Sequence, residues 1–318
     1  MEDKMVGNVI IGTRGSTLAM WQAQWVTRAL RRANPGLDFS IRGMKTKGDN
    51  ILDVPLAKIG DKGLFTKELE LALLNGEIHM AVHSMKDLPT KLPAGLTIGA
   101  VCEREYPGDV LISKNGEKLD ELKKGARIGT SSLRRRAQLL YYRPDLQMVD
   151  LRGNLTTRLR KLRETDLDAV VLAYAGIKRL GYENLITQLI PLSICLPAVG
   201  QGSIGVEIRV DDTKTRNIIA GIDHKKSKIA ITAERAFLQR LEGGCQVPIG
   251  ALGRVENNMV FLEGVVADLH GKNAVRHSIF GPVQNARELG ASLAQMLLDM
   301  GADKILTQTR QEFGFYGS

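Results

Sequence analysis

Cysteine is scarce in this chain: 318 residues hold three, Cys102, Cys195 and Cys245. An odd number at wide spacing gives neither a disulfide framework nor a Cys-x-x-Cys metal pair. Cys102 and Cys195 are expected to be reduced, buried, small apolar side chains. Aromatics make up only 5% of the residues, which leaves few stacking platforms for single-stranded nucleic acid. No apolar run approaches the length that spans a bilayer. Met1 to Asn8 lacks the charged-then-apolar pattern of a signal peptide, so a cytoplasmic location is expected. A phosphate-binding P-loop, a dinucleotide fingerprint and a His-x-Glu zinc pattern are also missing. Asp49 and Asp53 have no cluster around them, and no metal is expected.

What is present is an ordinary globular composition with a positive balance. Hydrophobic residues are 43% and charged residues 25%, and 44 Lys+Arg against 35 Asp+Glu leave a formal charge of +9. That balance suits an acidic partner, either nucleic acid, anionic lipid or an anionic metabolite. The length exceeds what one hydrophobic core usually serves, so two or three domains are expected.

Periodicity gives the organisation. Asn8 to Gly12 reads as a buried strand running into Thr13-Arg14-Gly15-Ser16, with Ser16 as N-cap of the next helix. Leu18, Trp21, Trp25 and Ala29 keep helical spacing, and both tryptophans read as packing residues. Asn34-Pro35-Gly36 stops that helix, and Phe39 to Lys45 is the next strand. Lys58 to Lys62 is a basic, glycine-bearing loop before a helix over Thr66 to Asn75. Strands follow at His79 to Val82 and Leu96 to Val101. Beyond Pro107-Gly108 the pattern restarts: strand Arg127 to Gly129, turn Thr130-Ser131-Ser132, helix Leu133 to Tyr142, strand Leu146 to Leu151, helix Leu155 to Arg163, strand Ala169 to Ala173. Ile11-Gly12-Thr13 and Ile128-Gly129-Thr130 both end a strand in a hydroxyl-rich turn, a sign of two similarly built α/β domains. Leu196 to Gly205 is a glycine-rich crossing that reads as a hinge. A helix over Lys228 to Leu241, strands at Met259 to Ala267 and Arg276 to Phe280, and a helix from Ala286 to Met300 make a small α+β region.

Four constellations carry chemical potential. The turns at Arg14–Ser16 and Thr130–Arg135 open helices, whose free N–H groups and positive dipole end attract anions. Arg134, Arg135 and Arg136 stand in a first turn, where positive charge opposes the helix dipole, which points to a ligand for that charge. Arg152 at a strand end and Arg158 in the following helix, with Lys178-Arg179 after another strand end, add guanidinium groups suited to carboxylates. His83-Ser84-Met85-Lys86-Asp87 sets one carboxylate among basic groups; His83 itself reads as a packed core residue. Cys245, in Glu242-Gly243-Gly244-Cys245-Gln246, lies past a helix C-terminus. That electronegative end does not favour a thiolate, so Cys245 reads as a passive anchor rather than a nucleophile.

These segments, with Leu196-Pro197-Ala198-Val199-Gly200-Gln201-Gly202, occur in the same order as in the porphobilinogen deaminases, also called hydroxymethylbilane synthases, and the chain resembles that family over nearly its whole length. The resemblance implies a fold of two periplasmic-binding-protein-like α/β domains plus a small α+β C-terminal domain. Its expected boundaries are 1–105 with 200–222, then 106–199, then 223–318. It implies a dipyrromethane cofactor attached through Cys245, onto which four porphobilinogen units are added head to tail with loss of ammonia. Asp87 is then the catalytic group that stabilises the cationic azafulvene. Lys86, Ser84, Thr130, Ser132, Arg134, Arg135 and Arg152 are expected at the cofactor. Arg14, Ser16, Arg158, Arg179 and Gln201 are expected at the substrate, and Lys58 to Lys62 form a lid. A monomer without nucleic-acid or membrane partners is expected. The alternatives are an anion-binding protein of paired α/β domains without chemistry, and a nucleic-acid binder with its arginines in one exposed stripe.

Overall fold

A computed structural model describes residues 8–46, 65–241 and 247–312. The described chain divides into two compact units, one holding the residues up to Arg104 together with 203–228, the other holding 105–202 and the residues from Ile229 onward.

Strand β1 (Asn8–Arg14) leads through Gly15 into α1 (Thr17–Ala33). The Ser16 hydroxyl accepts from the Ala19 amide at 3.4 Å, the expected cap. Trp21 and Trp25 are half-buried against the sheet core. Helix α1 stops at Asn34, with Gly36 at φ +107 in the turn that reverses the chain. Strands β2 (Asp38–Met44), β3 (Met80–Ser84) and β4 (Leu96–Val101) follow, with α2 (Lys67–Leu74) between β2 and β3. The second unit then repeats the plan with β5 (Asp109–Ser113), β6 (Arg127–Gly129), α3 (Leu133–Tyr142), β7 (Gln147–Val149), α4 (Leu155–Glu164), β8 (Ala169–Ala173), α5 (Tyr174–Arg179) and β9 (Gln188–Leu189). The chain returns to the first unit for β10 (Ile204–Arg209) and α6 (Thr213–Ile219), and α7 (Lys225–Arg240) leads onward. Strands β11 (Ile249–Glu256), β12 (Met259–Ala267) and β13 (Ala274–Pro282) precede α8 (Ala286–Leu297) and α9 (Asp303–Glu312).

Two mixed five-stranded sheets result, β2-β1-β3-β10-β4 and β7-β6-β8-β5-β9, beside an antiparallel three-stranded sheet β11-β12-β13. In each five-stranded sheet the first three strands are parallel and the remaining two contacts antiparallel. The C-termini of the parallel strands therefore gather on one edge of each sheet, where ligands of open α/β sheets bind. Apolar side chains cover both faces of each sheet, which suits its near-continuous Val, Ile, Leu and Ala runs. The three-stranded sheet packs one face against α7, α8 and α9 through Phe237, Leu262, Leu293 and Leu306.

Several elements differ from the periodicity. Strand β7 spans only Gln147–Val149, because the Leu151 amide donates to the Ser131 hydroxyl at 2.9 Å rather than to a neighbouring strand. Ile204 and Gly205, read as part of a hinge, belong to β10. Gly205 answers a packing need there: a Cβ would run into the sulfur of Met85. Strands β5 and β11 escape a reading based on alternation because both begin as continuous buried runs. The last helix breaks where expected, at Gly301 with φ +100, but the chain resumes as α9.

Candidate anion-binding and catalytic site

In the first unit, β1 and β3 are parallel neighbours, so Arg14, Ser16, Ser84 and Asp87 meet at one sheet edge. They line one small pocket with Phe65 and His83. The Thr13 hydroxyl donates to the Val82 carbonyl at 3.4 Å and ties the two strand ends together. Ser84 exchanges hydrogen bonds with Gln22 of α1, at 2.9 and 3.3 Å. Beyond Ser84 the chain makes a short 3₁₀ turn, Met85–Asp87, held by the Met85 amide donating to Ser203 at 3.0 Å. Met85 is buried while Lys86 and Asp87 stay half-exposed, so the turn presents a carboxylate and an ammonium side by side. The Arg14 guanidinium stacks 4.2 Å over the Phe65 ring, which orients it. His83 is buried, as its strand position implies.

In the second unit the same edge carries the basic groups. The Thr130 amide donates to Val149 at 2.9 Å, and the Thr130 hydroxyl accepts from the Ser132 amide at 3.2 Å. Ser132 caps α3, accepting from the Arg135 amide at 3.4 Å. Arg134 and Arg135 turn inward and are 4% and 5% exposed. Both meet Asp109 of β5: Arg134 Nη1 lies 2.8 Å from Oδ2 and Arg135 Nη2 2.7 Å from Oδ1. The cost of two first-turn arginines is thus offset in part inside the fold. Arg134 also donates to the Leu196 carbonyl at 2.7 Å, and Arg135 to the Val171 carbonyl at 2.8 Å. Gln201, expected at the substrate, is 1% exposed and donates to Asp109 Oδ1 at 2.8 Å. Burial opposes ionisation of Asp109, but the charges and hydrogen bonds of the two arginines overcome it and hold the carboxyl well below the carboxylate range. Beside this group, burial pushes the Cys195 thiol up to about 12, so it is an inert buried thiol. Cys102 is buried as well.

Asn154 caps α4, accepting from the Thr157 amide at 2.9 Å, after Gly153 at φ +111. Arg158 Nε donates back to the Gly153 carbonyl at 2.9 Å, so this guanidinium folds over the loop that holds Arg152. Arg152 is half-buried, and burial, opposed by Asp150, lowers its pKa. Arg179 donates to the Gly202 carbonyl at 2.6 Å, while Lys178 pairs with Glu105 at 2.9 Å. The segment bearing Cys245 and the loop Lys58 to Lys62 lie outside the described residues.

Sequence reasoning missed three buried carboxylates: Asp109, Glu207 of β10 and Glu234 of α7, each 0% exposed. Each lies in or beside an apolar stretch, and an acid in a run such as Ile-Gly-Val-Glu-Ile was the available signal. Among the described residues no group of three or more His, Cys, Asp or Glu side chains is placed to hold a metal ion. Among them, too, no helix is long and apolar enough to cross a membrane.

Comparison with known proteins follows the same lines. The family model described as "Porphobilinogen deaminase, dipyromethane cofactor binding domain" matches residues 9–217, and "Porphobilinogen deaminase, C-terminal domain" matches residues 228–299. The porphobilinogen deaminase of Pelotomaculum thermopropionicum is 62% identical over 97% of this chain and 99% of its own length. That of Carboxydothermus hydrogenoformans is 61% identical over the same shares, 97% and 99%. Among solved structures, a probable amino-acid ABC transporter extracellular-binding protein of Bacillus subtilis is 11% identical over 68% of this chain and 90% of that one, with a TM-score of 0.42, a likeness too loose to carry function. On the two family matches and these identities, the chain belongs to the porphobilinogen deaminase family.

Proposed function

We propose a division of labour among named residues for the family's reaction, in which this chain forms hydroxymethylbilane from porphobilinogen on a dipyrromethane cofactor. The observation that carries it is the pocket where Asp87 stands among Arg14, Ser16 and Ser84. One carboxylate among hydroxyl and guanidinium donors suits a substrate that is cationic at its aminomethyl group and anionic at its acetate and propionate. Asp87 accepts hydrogen bonds from pyrrole N–H groups and from the leaving amine, and offsets the positive charge that develops as the amine departs. Arg14 and Ser16 hold substrate carboxylates.

The second unit fits a cofactor that bears carboxylates. Buried Nε atoms of Arg135 and Arg136 have no hydrogen-bond partner among the described residues. Such orphan donors at a helix N-terminus are what an incoming carboxylate satisfies. When bound, the cofactor supplies the pyrrole carbon from which the product chain grows. Ser132, Thr130, Arg135 and Arg152 orient its carboxylates, with Ser84 and Lys86 completing the set. Arg158 and Arg179 serve the lengthening chain. Arg134 and Gln201 act one step back, through Asp109. Cys245 is the attachment point, and Lys58 to Lys62 form the lid. The domains divide as 1–105 with 200–222, 106–199 and 223–318. The protein works as a cytoplasmic monomer on porphobilinogen as its small-molecule substrate.

Intact mass with turnover tests this assignment. Protein from a cell that makes porphobilinogen carries added cofactor mass. Cys245→Ala lacks it. Asp87→Ala keeps it and loses about 10²–10⁴ in turnover. Full turnover by either variant overturns the role given to that residue.

A further inference from the structure

We infer that His83 and Glu207 form a buried proton-sharing pair in the wall of the Asp87 pocket, and that this pair positions Asp87 and sets its charge environment. The inference rests on the role of Asp87 proposed above. His83 ends a run of core residues on β3 and lines the same pocket as Asp87. Side chains alternate along a strand, so His83 and Ala81 share the face that packs α2. Glu207 lies opposite Ala81 across the β3–β10 contact. Its Oε2 sits 3.1 Å from His83 Nε2, and the two side chains are 0% and 3% exposed.

The pair is unlike a locked ion pair. Although they approach to 3.1 Å, neither His83 Nε2 nor either carboxylate oxygen of Glu207 makes a well-aligned hydrogen bond among the described residues. A buried carboxylate without strong donors is costly as an anion, and the imidazole 3.1 Å away is the group placed to offset it. The groups around it sharpen this. Glu70 of α2 is buried, and burial raises its pKa; a Thr66 hydrogen bond opposes this, Glu207 adds to it, His83 opposes it and Glu68 adds to it. Arg14 enters the same pocket from β1, and Lys86 and Asp87 occupy the turn after His83. Glu207 and Glu70 therefore both act on the one imidazole behind the reacting carboxylate.

The reaction gives such a cluster something to do. In each condensation the bond between the aminomethyl carbon and nitrogen breaks, and a bond from that carbon to a pyrrole carbon forms. The pyrrole carbon loses a proton and the departing ammonia ends as ammonium, so charge and protons balance with no oxidant. Between those events a proton is held near Asp87. The pair, fixed in the pocket wall behind it, holds the turn that carries Asp87 in place while this happens.

The test uses cofactor-loaded Glu207→Gln, which is nearly isosteric, with porphobilinogen kinetics followed across pH. We expect a kcat about tenfold lower, a displaced pH profile and a KM within about threefold of the unchanged enzyme. A kcat and a pH profile that superimpose on those of the unchanged enzyme overturn the inference. Should Glu207→Gln fail to fold, His83→Gln carries the same two outcomes. Asp87→Asn separates the two readings. If it is inactive while Glu207→Gln is unchanged, only the pair is lost. If Asp87→Asn turns over normally, the reading of Asp87 itself fails.

Discussion

The two five-stranded sheets have the same strand order, yet their antiparallel inserted strands bury very different acids. In the second unit, β5 brings Asp109 under α3, where Arg134, Arg135 and Gln201 all donate to it within 2.8 Å. In the first, β10 brings Glu207 to a lone imidazole at 3.1 Å. The saturated carboxylate is a fixed charge. It lets two arginines stand at a helix N-terminus and holds them still, which suits binding of carboxylates. The unsaturated one faces only the imidazole of His83, a residue that lines the same pocket as the group proposed to act on the leaving amine. One topology thus buries a fully hydrogen-bonded acid in one unit and a sparsely partnered one in the other.

The sharpest way to break this comparison is Asp109→Asn. Removing one partner of a buried charge network leaves uncompensated charge and costs about 3–5 kcal/mol, measurable by urea unfolding at neutral pH. The pH dependence of Asp109 and of Glu70, the buried acid of the first unit whose pKa Glu207 helps to raise, should run in opposite directions. Asp109 has a depressed pKa, so its contribution is present above the ordinary value of 3.8 and is lost as pH falls through the folded value. Glu70 has a raised pKa, so its contribution is present below the ordinary 4.5 and is lost as pH rises through the folded value. Glu70→Gln should therefore gain on the unchanged protein as pH rises. A flat difference for both variants would remove the contrast.

A middle-sized effect probes the shared Ile-Gly-Thr ends. A Cβ on Gly12 would collide with the tip of Ile78, and one on Gly129 would meet Leu151, Leu167 and Val170 at 2.9, 3.0 and 3.1 Å. Gly12→Ala and Gly129→Ala should each cost about 1–3 kcal/mol in the same urea experiment. If neither loses stability, the resemblance of the two turns is one of letters and not of packing. The smallest effect tests the caps. Ser16→Ala and Ser132→Ala should each lose about 1 kcal/mol, since both hydroxyls accept from the amide three residues on. A loss at only one would show that the second hydroxyl serves a ligand and not its helix.

Much of this comparison was legible before any coordinates. The repeated strand, hydroxyl turn and helix marked both parallel strand ends; Ser16 was readable as a cap, whereas Ser132 was read only as part of a turn. Asp87 and the arginines fell at strand ends, where the parallel order collects them. The inserted strands were not legible. β5 and β10 are continuous buried runs that complete each sheet antiparallel, and pairing between residues as distant as Val82 and Val206 leaves no local pattern. Asp109 and Glu207 were missed with their strands. Arg134 looked like a ligand group from its unfavourable place in α3; the carboxylate that explains it lies 25 residues earlier in the chain. Gln201 was expected at the substrate from the family resemblance alone, and its bond to Asp109 has no local pattern either.

The hairpin between β12 and β13 has a consequence for anyone wishing to modify this protein. Asp268 gathers the amides of His270 and Lys272 at 2.9 and 3.0 Å, and Gly271 follows at φ +68. A Cβ on Gly271 would collide with the backbone of Leu140 and Tyr141 near the end of α3. Exposed loop tips are the usual place to splice in a tag or a reporter. Here the tip is braced on a helix of about 15 Å whose opposite end carries Arg134 and Arg135. A spliced peptide at residues 270–272 would act as a lever on the anion site, whereas the Asn257–Asn258 turn, whose two residues adopt positive φ, is the safer graft point in the same sheet.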